Sequence, residues 1–314
     1  MWDGQRLSVQ RCEVPPLGLH EARIRIRLAG ICSTDLELIR GYKGFSGVPG
    51  HEFVGEVIDG PRQWIGKRVV GEINIWCGLC DACERGDVTH CRNRKILGMV
   101  DMPGAFAETI QLPVKNLHLV PDGVPDEAAV FAEPLAAACR IPQVHHLYAG
   151  HRVVLIGAGR LGMLCAQVIH LTGADLSVLV RRESQAELLV GWGIRAVYDH
   201  ELTPGVVDYV VDCTGSPDGF RKALALVRPR GTIILKSTYH GQSEVDLSPV
   251  VVNEIRIDGS RCGPFDDALH LLREKQVHVQ PLIEAVYPLE DAAEALEHAA
   301  RPGTMKILLK PQAG

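Results

Sequence analysis

The sequence has no excess of positive charge: 33 Lys and Arg stand against 38 Asp and Glu, for a formal net charge of -5. Nucleic acid and anionic membrane surfaces are therefore not electrostatically favoured partners, and a small molecule is the expected one. No stretch approaches the roughly 18 consecutive apolar residues of a membrane span. The opening MWDGQRLSVQRCEV lacks the apolar core of a secretory signal. These absences point to a cytoplasmic protein without a membrane partner. There is no internal repeat and no low-complexity segment. With 314 residues, 46% of them hydrophobic, the chain can fill about two cores.

Thiols, by contrast, are concentrated. Four of the ten cysteines fall in WCGLCDACERGDVTHC, residues 76–91. In a reducing compartment such clusters bind metal more readily than they form disulfides. Cys77, Cys80, Cys83 and Cys91 form C-x2-C-x2-C-x7-C among Asp81, Glu84, Arg85 and Asp87, side chains foreign to a core. Four thiolates fill a zinc tetrahedron, so this site is expected to be closed and structural. An open metal site needs mixed ligands and a free position. Its candidates are Cys32, Thr34, Asp35 and Glu37 in AGICSTDLELIRG, His51 and Glu52 in VPGHEFVGEV, and Glu133 in FAEPLAAAC. Singly each has a plainer reading: a buried thiol, a surface pair, an acid at a helix start.

HRVVLIGAGRLGMLCAQVIHLTGADLSVLV reads as strand, glycine turn, helix and second strand. Gly157, Gly159 and Gly162, with Arg160 and Leu161 between them, give G-x-G-x-x-G at the strand-to-helix junction, where backbone amides can receive a pyrophosphate. Downstream, AVYDH, VVDYVVDCTG, GTIILK and NEIRIDGS read as strands and GFRKALALV as a helix. That alternation predicts an α/β, doubly wound parallel sheet. Asp212, Cys213, Thr214 and Gly215 follow one of its strands, where Gly215 permits a close approach. PDGVPDE reads as a linker between lobes. Cys12, Cys139, Cys165, Cys213 and Cys262 read as packing residues, and His145 and His146 as a partly exposed helix end.

Taken in order, the GICSTD segment, the GHE segment, the four-cysteine lobe, the EPL segment, the glycine turn and the terminal MKILLKP strand resemble the zinc-dependent medium-chain dehydrogenases of the alcohol dehydrogenase superfamily, in the branch of sorbitol, threonine and archaeal glucose dehydrogenases. The resemblance spans nearly the whole chain. It implies a GroES-like, mainly β catalytic domain from residues 1–136 and 264–314 and a Rossmann domain from 137–263. It also implies two zinc ions per chain, a nicotinamide cofactor and a homodimer or homotetramer. Cys32, His51 and Glu133 match the family's catalytic zinc positions, and Glu52 matches a carboxylate that ligates the ion or sits just behind it. Thr34 matches the hydroxyl that contacts the substrate oxygen, and Asp35 the residue that orients His51. The expected reaction is hydride transfer between a secondary alcohol, polyol or sugar and the nicotinamide.

Three departures bear on that expectation. Glu37 stands where many relatives carry a relay histidine, and it is read either as a proton relay or as a helix residue paired with Arg40. Val180, Arg181 and Arg182 occupy the region where an NAD site places an acid, which favours NADP over NAD because guanidinium suits a phosphate. Only eighteen residues separate Cys32 from His51, so the substrate loops differ from those of relatives. Two other classes stay open: a catalytically silent NADPH-binding protein, and a zinc-ribbon-like nucleic-acid module, which the mixed charge of the lobe argues against.

Overall fold

The computed structural model describes residues 1–238 and 244–312. The chain divides into two compact units, Met1–Glu133 with Phe265–Gly314, and Pro134–Pro264. Among the described residues no helix is long and apolar enough to cross a membrane.

In the first unit β1 (Glu21–Gly30) leads to α1 (Ser33–Ile39), β2 (Glu52–Asp59), β3 (Arg68–Gly71) and β4 (Asn74–Ile75). Then come α2 (Asp81–Glu84), β5 (Lys95–Ile96), β6 (Thr109–Pro113), β7 (Leu117–Leu119) and α3 (Asp126–Ala129). The opening strand shows why this unit is a sheet. In EARIRIRLAG the residues Ala22, Ile24, Ile26 and Leu28 are buried while arginines alternate with them, the period of two that a half-buried strand requires. Ile24, Ile26 and Leu28 each contribute about 1.5–3 kcal/mol by leaving water.

Helix α4 (Ala132–Val144) runs across the boundary between the units. The second unit continues through β8 (Arg152–Ile156), α5 (Arg160–His170), β9 (Asp175–Leu179), α6 (Glu183–Gly191) and β10 (Arg195–Val197). It ends with β11 (Val207–Asp212), α7 (Pro217–Leu226), β12 (Val227–Leu235), α8 (Ser248–Val252) and β13 (Arg256–Gly259). All its strand pairs are parallel, in the order β10-β9-β8-β11-β12-β13. The winding reverses direction between β8 and β11, the position where an open α/β sheet receives a ligand. Val154, Ile156, Val210 and Ile233 fill the core on one face and Val153, Leu155 and Val211 are buried on the other, apolar on both sides as helix-covered strands must be.

The chain then returns to the first unit as α9 (Phe265–Arg273), β14 (Ile283–Pro288), α10 (Ala292–Ala299) and β15 (Lys306–Lys310). There β14 joins β15, β15 joins β1, and the sheet continues through β2, β3 and β7, with β6 on β1.

Two local expectations fail for identifiable reasons. AVYDH is strand only as far as Val197; Asp199–Glu201 turns as a 3-10 helix because the Glu201 carboxylate accepts the Tyr198 N–H at 2.7 Å. PDGVPDE does not separate the units, since residues 121–127 lie inside the first. Its Asp126 begins α3 and is held by Arg27 at 2.9 Å and Arg68 at 2.8 Å, which anchors the segment.

The returning segment is fastened by His118 of β7, whose Nε2 lies 3.2 Å from Glu72 and whose Nδ1 lies 3.2 Å from Asp266 at the start of α9. Burial disfavours the charged ring, but the Glu72 and Asp266 carboxylates outweigh it and raise its pKa above 6.5. The stabilisation is therefore fully present below the unfolded value of 6.5 and is lost as pH rises through the raised folded value. His118→Gln should lower the melting temperature more at pH 5.5 than at pH 8.5; a gap independent of pH would contradict the ion pairing.

Candidate metal centres and cofactor turn

The four-cysteine lobe closes on itself. Cys77 and Cys91 sulfurs lie 3.5 Å apart, Cys80 and Cys83 3.6 Å, and Cys80 and Cys91 3.8 Å. A tetrahedron with zinc–sulfur bonds of about 2.3 Å has edges of about 3.8 Å, so these spacings suit that ion. Backbone N–H groups of Cys83 and Arg92 pull the Cys80 thiol down to about 6, while burial pushes Cys83 up to about 11. Such a split is what crowded thiols do, since adjacent thiolates repel and a cation is needed for all four to ionise together. Arg92 clamps the lobe from outside through Asp81 at 2.7 and 2.9 Å.

A second group forms at the end of β1. Strand register explains why distant residues meet there. Gly30 pairs with Glu52 on one side of β1 and with Leu308 on the other. Continuing both ladders past Gly30 brings the Cys32, His51 and Lys306 regions to one end of the sheet. Cys32, His51 and Glu52 then present a thiol, an imidazole and a carboxylate whose ligand atoms all lie within 4.8 Å of one another.

Asp35, fully buried, organises the group. Its Oδ2 accepts the Cys32 N–H at 2.8 Å; its Oδ1 accepts the Gly50 N–H and faces His51 Nδ1, both at 3.1 Å. Donation from Nδ1 to a carboxylate fixes the ring so that Nε2, once its proton is displaced by a cation, is the nitrogen that faces the metal. Burial alone would lower the His51 pKa, but Asp35 and Cys32 more than offset it and hold it well above 6.5. Thr34 places its hydroxyl 3.8 Å from the Cys32 sulfur.

Glu52 is buried with one oxygen 2.5 Å from the Nζ of Lys306, itself 3% exposed; its other oxygen, Oε1, is buried with no hydrogen-bond partner among the described residues. That oxygen, beside a thiol and an imidazole, suits a metal ligand. Lys306 escapes sequence reasoning because its partner lies 254 residues away, and only a lysine inside the apolar strand KILLK hints at it. Glu133 sits half-buried in the first turn of α4 and is not part of the three-residue group. Glu37 is outside it too and is paired with Arg40 at 2.7 Å, the plainer of its two readings.

In the second unit the glycine turn joins β8 to α5. Gly157 has φ of 98°, and a Cβ there would meet the Cys213 backbone at 2.7 Å; a Cβ on Gly162 would meet the Gly157 carbonyl at 1.8 Å. Gly159 faces open space. The turn is thus closed on its inner side and open on its outer side, a cradle that suits a pyrophosphate at the start of α5, where Arg160 and Leu161 lie. Cys213, Thr214 and Gly215 abut it, with the Cys213 N–H on the Ile156 carbonyl at 2.8 Å and Thr214 Oγ1 on Asp212 at 2.7 Å. Val180 is buried, whereas Arg181 and Arg182 are exposed just before α6, which begins with Glu183. His145 is buried and His146 exposed just beyond α4.

Two outcomes test the metal-binding end. Lys306→Met strands the buried Glu52 charge and should cost about 3–5 kcal/mol in denaturant unfolding, with much of the loss recovered by adding Glu52→Gln. Full stability of the single variant would contradict the pairing. Asp35→Ala should weaken zinc binding at this group about 10- to 100-fold, read by competition with a chelator; unchanged affinity would show that His51 needs no orienting partner.

Comparisons with known proteins agree with this architecture. Residues 18–122 match the model of the alcohol dehydrogenase GroES-like domain, and residues 161–274 that of the zinc-binding dehydrogenases. The chain is 29% identical to 2-dehydro-3-deoxy-L-galactonate 5-dehydrogenase of Pseudoalteromonas atlantica, over 92% of this chain and 91% of that protein. It is 32% identical to L-threonine 3-dehydrogenase of Chelativorans sp., over 81% and 79%. A crystal structure described as a zinc-binding dehydrogenase of Sinorhizobium meliloti, bound to NADP, superposes with a TM-score of 0.88 at 26% identity, over 98% of this chain and 97% of that one. With its GroES-like and Rossmann-type folds, the chain belongs to the zinc-dependent medium-chain dehydrogenase family and is an oxidoreductase of that family.

Proposed function

We propose that the protein is a zinc-dependent dehydrogenase that reversibly oxidises a secondary alcohol, polyol or sugar to a carbonyl, with NADP preferred to NAD. The observation that carries the reading is the convergence of Cys32, His51 and Glu52 at the end of β1. Relatives named for 2-dehydro-3-deoxy-L-galactonate and for L-threonine support a small hydroxylated substrate. Residues 1–136 and 264–314 form the catalytic part and 137–263 the dinucleotide-binding part; the compact units, whose boundaries fall within three residues of these, support that division.

Cys77, Cys80, Cys83 and Cys91 would hold one zinc ion, which would tie the lobe together. Cys32 and His51 would hold a second with a carboxylate, Glu52 from the observed grouping or Glu133 from the family resemblance. That second ion supplies Lewis acidity, lowering the pKa of a substrate alcohol toward neutrality, and NADP supplies the hydride acceptor. The remaining work belongs to side chains of this chain. Thr34, beside Cys32, accepts the hydrogen bond of the substrate hydroxyl and starts its proton toward solvent. Asp35 fixes the ring of His51, and Lys306 balances the charge of Glu52. Glu37, committed to Arg40, is assigned no relay role.

The glycine turn Gly157, Gly159 and Gly162, with Arg160 and Leu161, receives the pyrophosphate. Arg181 and Arg182 receive the 2'-phosphate, and Cys213, Thr214 and Gly215 flank the cofactor. A homodimer or homotetramer is proposed, supported by β13 at the open edge of its sheet and by Val251 and Val252, which are 77% and 78% exposed on the adjoining α8. The thiol-rich lobe suits a reducing, cytoplasmic setting.

Reduced-nicotinamide formation from a panel of polyols, aldoses, secondary alcohols and threonine should appear with NADP ahead of NAD and vanish on zinc removal. Turnover that survives complete zinc removal would contradict the mechanism. Cys32→Ser should abolish turnover while leaving NADP affinity within about twofold. Replacing Arg181 and Arg182 by Ala should weaken NADP about 10- to 100-fold, the loss of two charge-assisted contacts, with little change for NAD. Equal losses for both cofactors would show that the arginines do not read the 2'-phosphate.

A further inference from the structure

Gln185 joins two stretches of the second unit that lie 27 residues apart. Its Oε1 accepts the N–H of Arg181 at 3.0 Å and of Arg182 at 3.3 Å, while its Nε2 donates to the Ala158 carbonyl at 2.8 Å. Ala158 lies between Gly157 and Gly159 in the glycine turn, and the two arginines form the turn that enters α6. The acceptor half of this arrangement is an ordinary helix cap, since Gln185 is the third residue of α6 and Arg182 its N-cap. The donor half is not. A glutamate would cap α6 equally well but would set its oxygens against the Ala158 carbonyl. The choice of an amide therefore serves the glycine turn.

We infer that Gln185 is a positioning residue that fixes the arginine turn relative to the glycine turn, so that one dinucleotide meets the pyrophosphate cradle and the adenosine-ribose end together. The inference rests on the cofactor reading above and deepens it. Because Gln185 occupies the N–H groups of Arg181 and Arg182, the ribose end is read by the guanidinium side chains and not by those amides. A spacing fixed before binding spares the ligand the cost of ordering two loops. The consequence falls on ligands that span both turns, not on a ligand that engages only one.

The test uses Gln185→Glu, which keeps the cap and removes the donor to Ala158, and Gln185→Met, which removes both. NAD is the spanning probe for the Glu variant and inorganic pyrophosphate the probe for the glycine turn alone, both read at about 1 M salt, where a Debye length of about 3 Å screens the new carboxylate from the phosphates. Melting temperatures within a few degrees of wild type establish that both variants fold. NAD should bind the Glu variant about tenfold more weakly while pyrophosphate stays within about twofold, and the Met variant should lose at least as much for NAD and NADP. Unchanged NAD affinity in the Glu variant would reduce Gln185 to a helix cap, and equal weakening of NAD and pyrophosphate would mean a general loosening; either overturns the inference. Wild-type NADP and NAD affinities, measured alongside, separate this from the cofactor reading. A wild type that prefers NAD sinks that reading and leaves the comparison of Gln185 variants on NAD intact.

Discussion

One buried carboxylate sets the geometry on which the catalytic reading depends. Asp35 holds the Cys32 backbone, the Gly50 backbone and the His51 ring at once, with no exposure to solvent. It thereby locks the start of α1 to the approach of β2. A charge so far from water survives only when its hydrogen bonds are satisfied, and here the satisfying groups are those that must be fixed to present a thiol and an imidazole to one ion. Stability and site geometry therefore share the same contacts.

The second constraint is the parity of the ladders around β1. Both neighbours of β1 reach its end in register, so residues near 32, 51 and 306 arrive together although no local interaction links them. A slip of one residue would turn His51 or Glu52 to the opposite face of the sheet. The alternation of isoleucine and arginine along β1 guards against that slip, because it would put arginines in the core.

Much of this was legible in the sequence, and unevenly so. Cys77, Cys80, Cys83 and Cys91 were readable because a compact lobe brings near neighbours in sequence together, and their sulfurs do lie at tetrahedral spacings. The glycine turn was readable because the strand before it and the helix after it follow from local periodicity. Lys306 was not, since an ion pair across 254 residues leaves no local pattern. Gln185 was hidden differently: its position reads as a helix cap, and only the structure adds the bond to Ala158. Asp126 reads as linker because proline and glycine precede it, whereas two arginines from distant strands anchor it. Glu133 was expected at the ion from the family resemblance, and the three-residue group forms without it.

The proposed function requires two metal centres of different chemistry in the first unit, built on Cys77, Cys80, Cys83 and Cys91 and on Cys32 and His51. Zinc X-ray absorption on the purified protein, combined with metal quantification, tests it most directly. Two zinc ions per chain are expected, one surrounded by four sulfurs and one by a single sulfur with nitrogen and oxygen neighbours, the latter alone lost in Cys32→Ser. A single all-sulfur zinc, with no change in that variant, would contradict it.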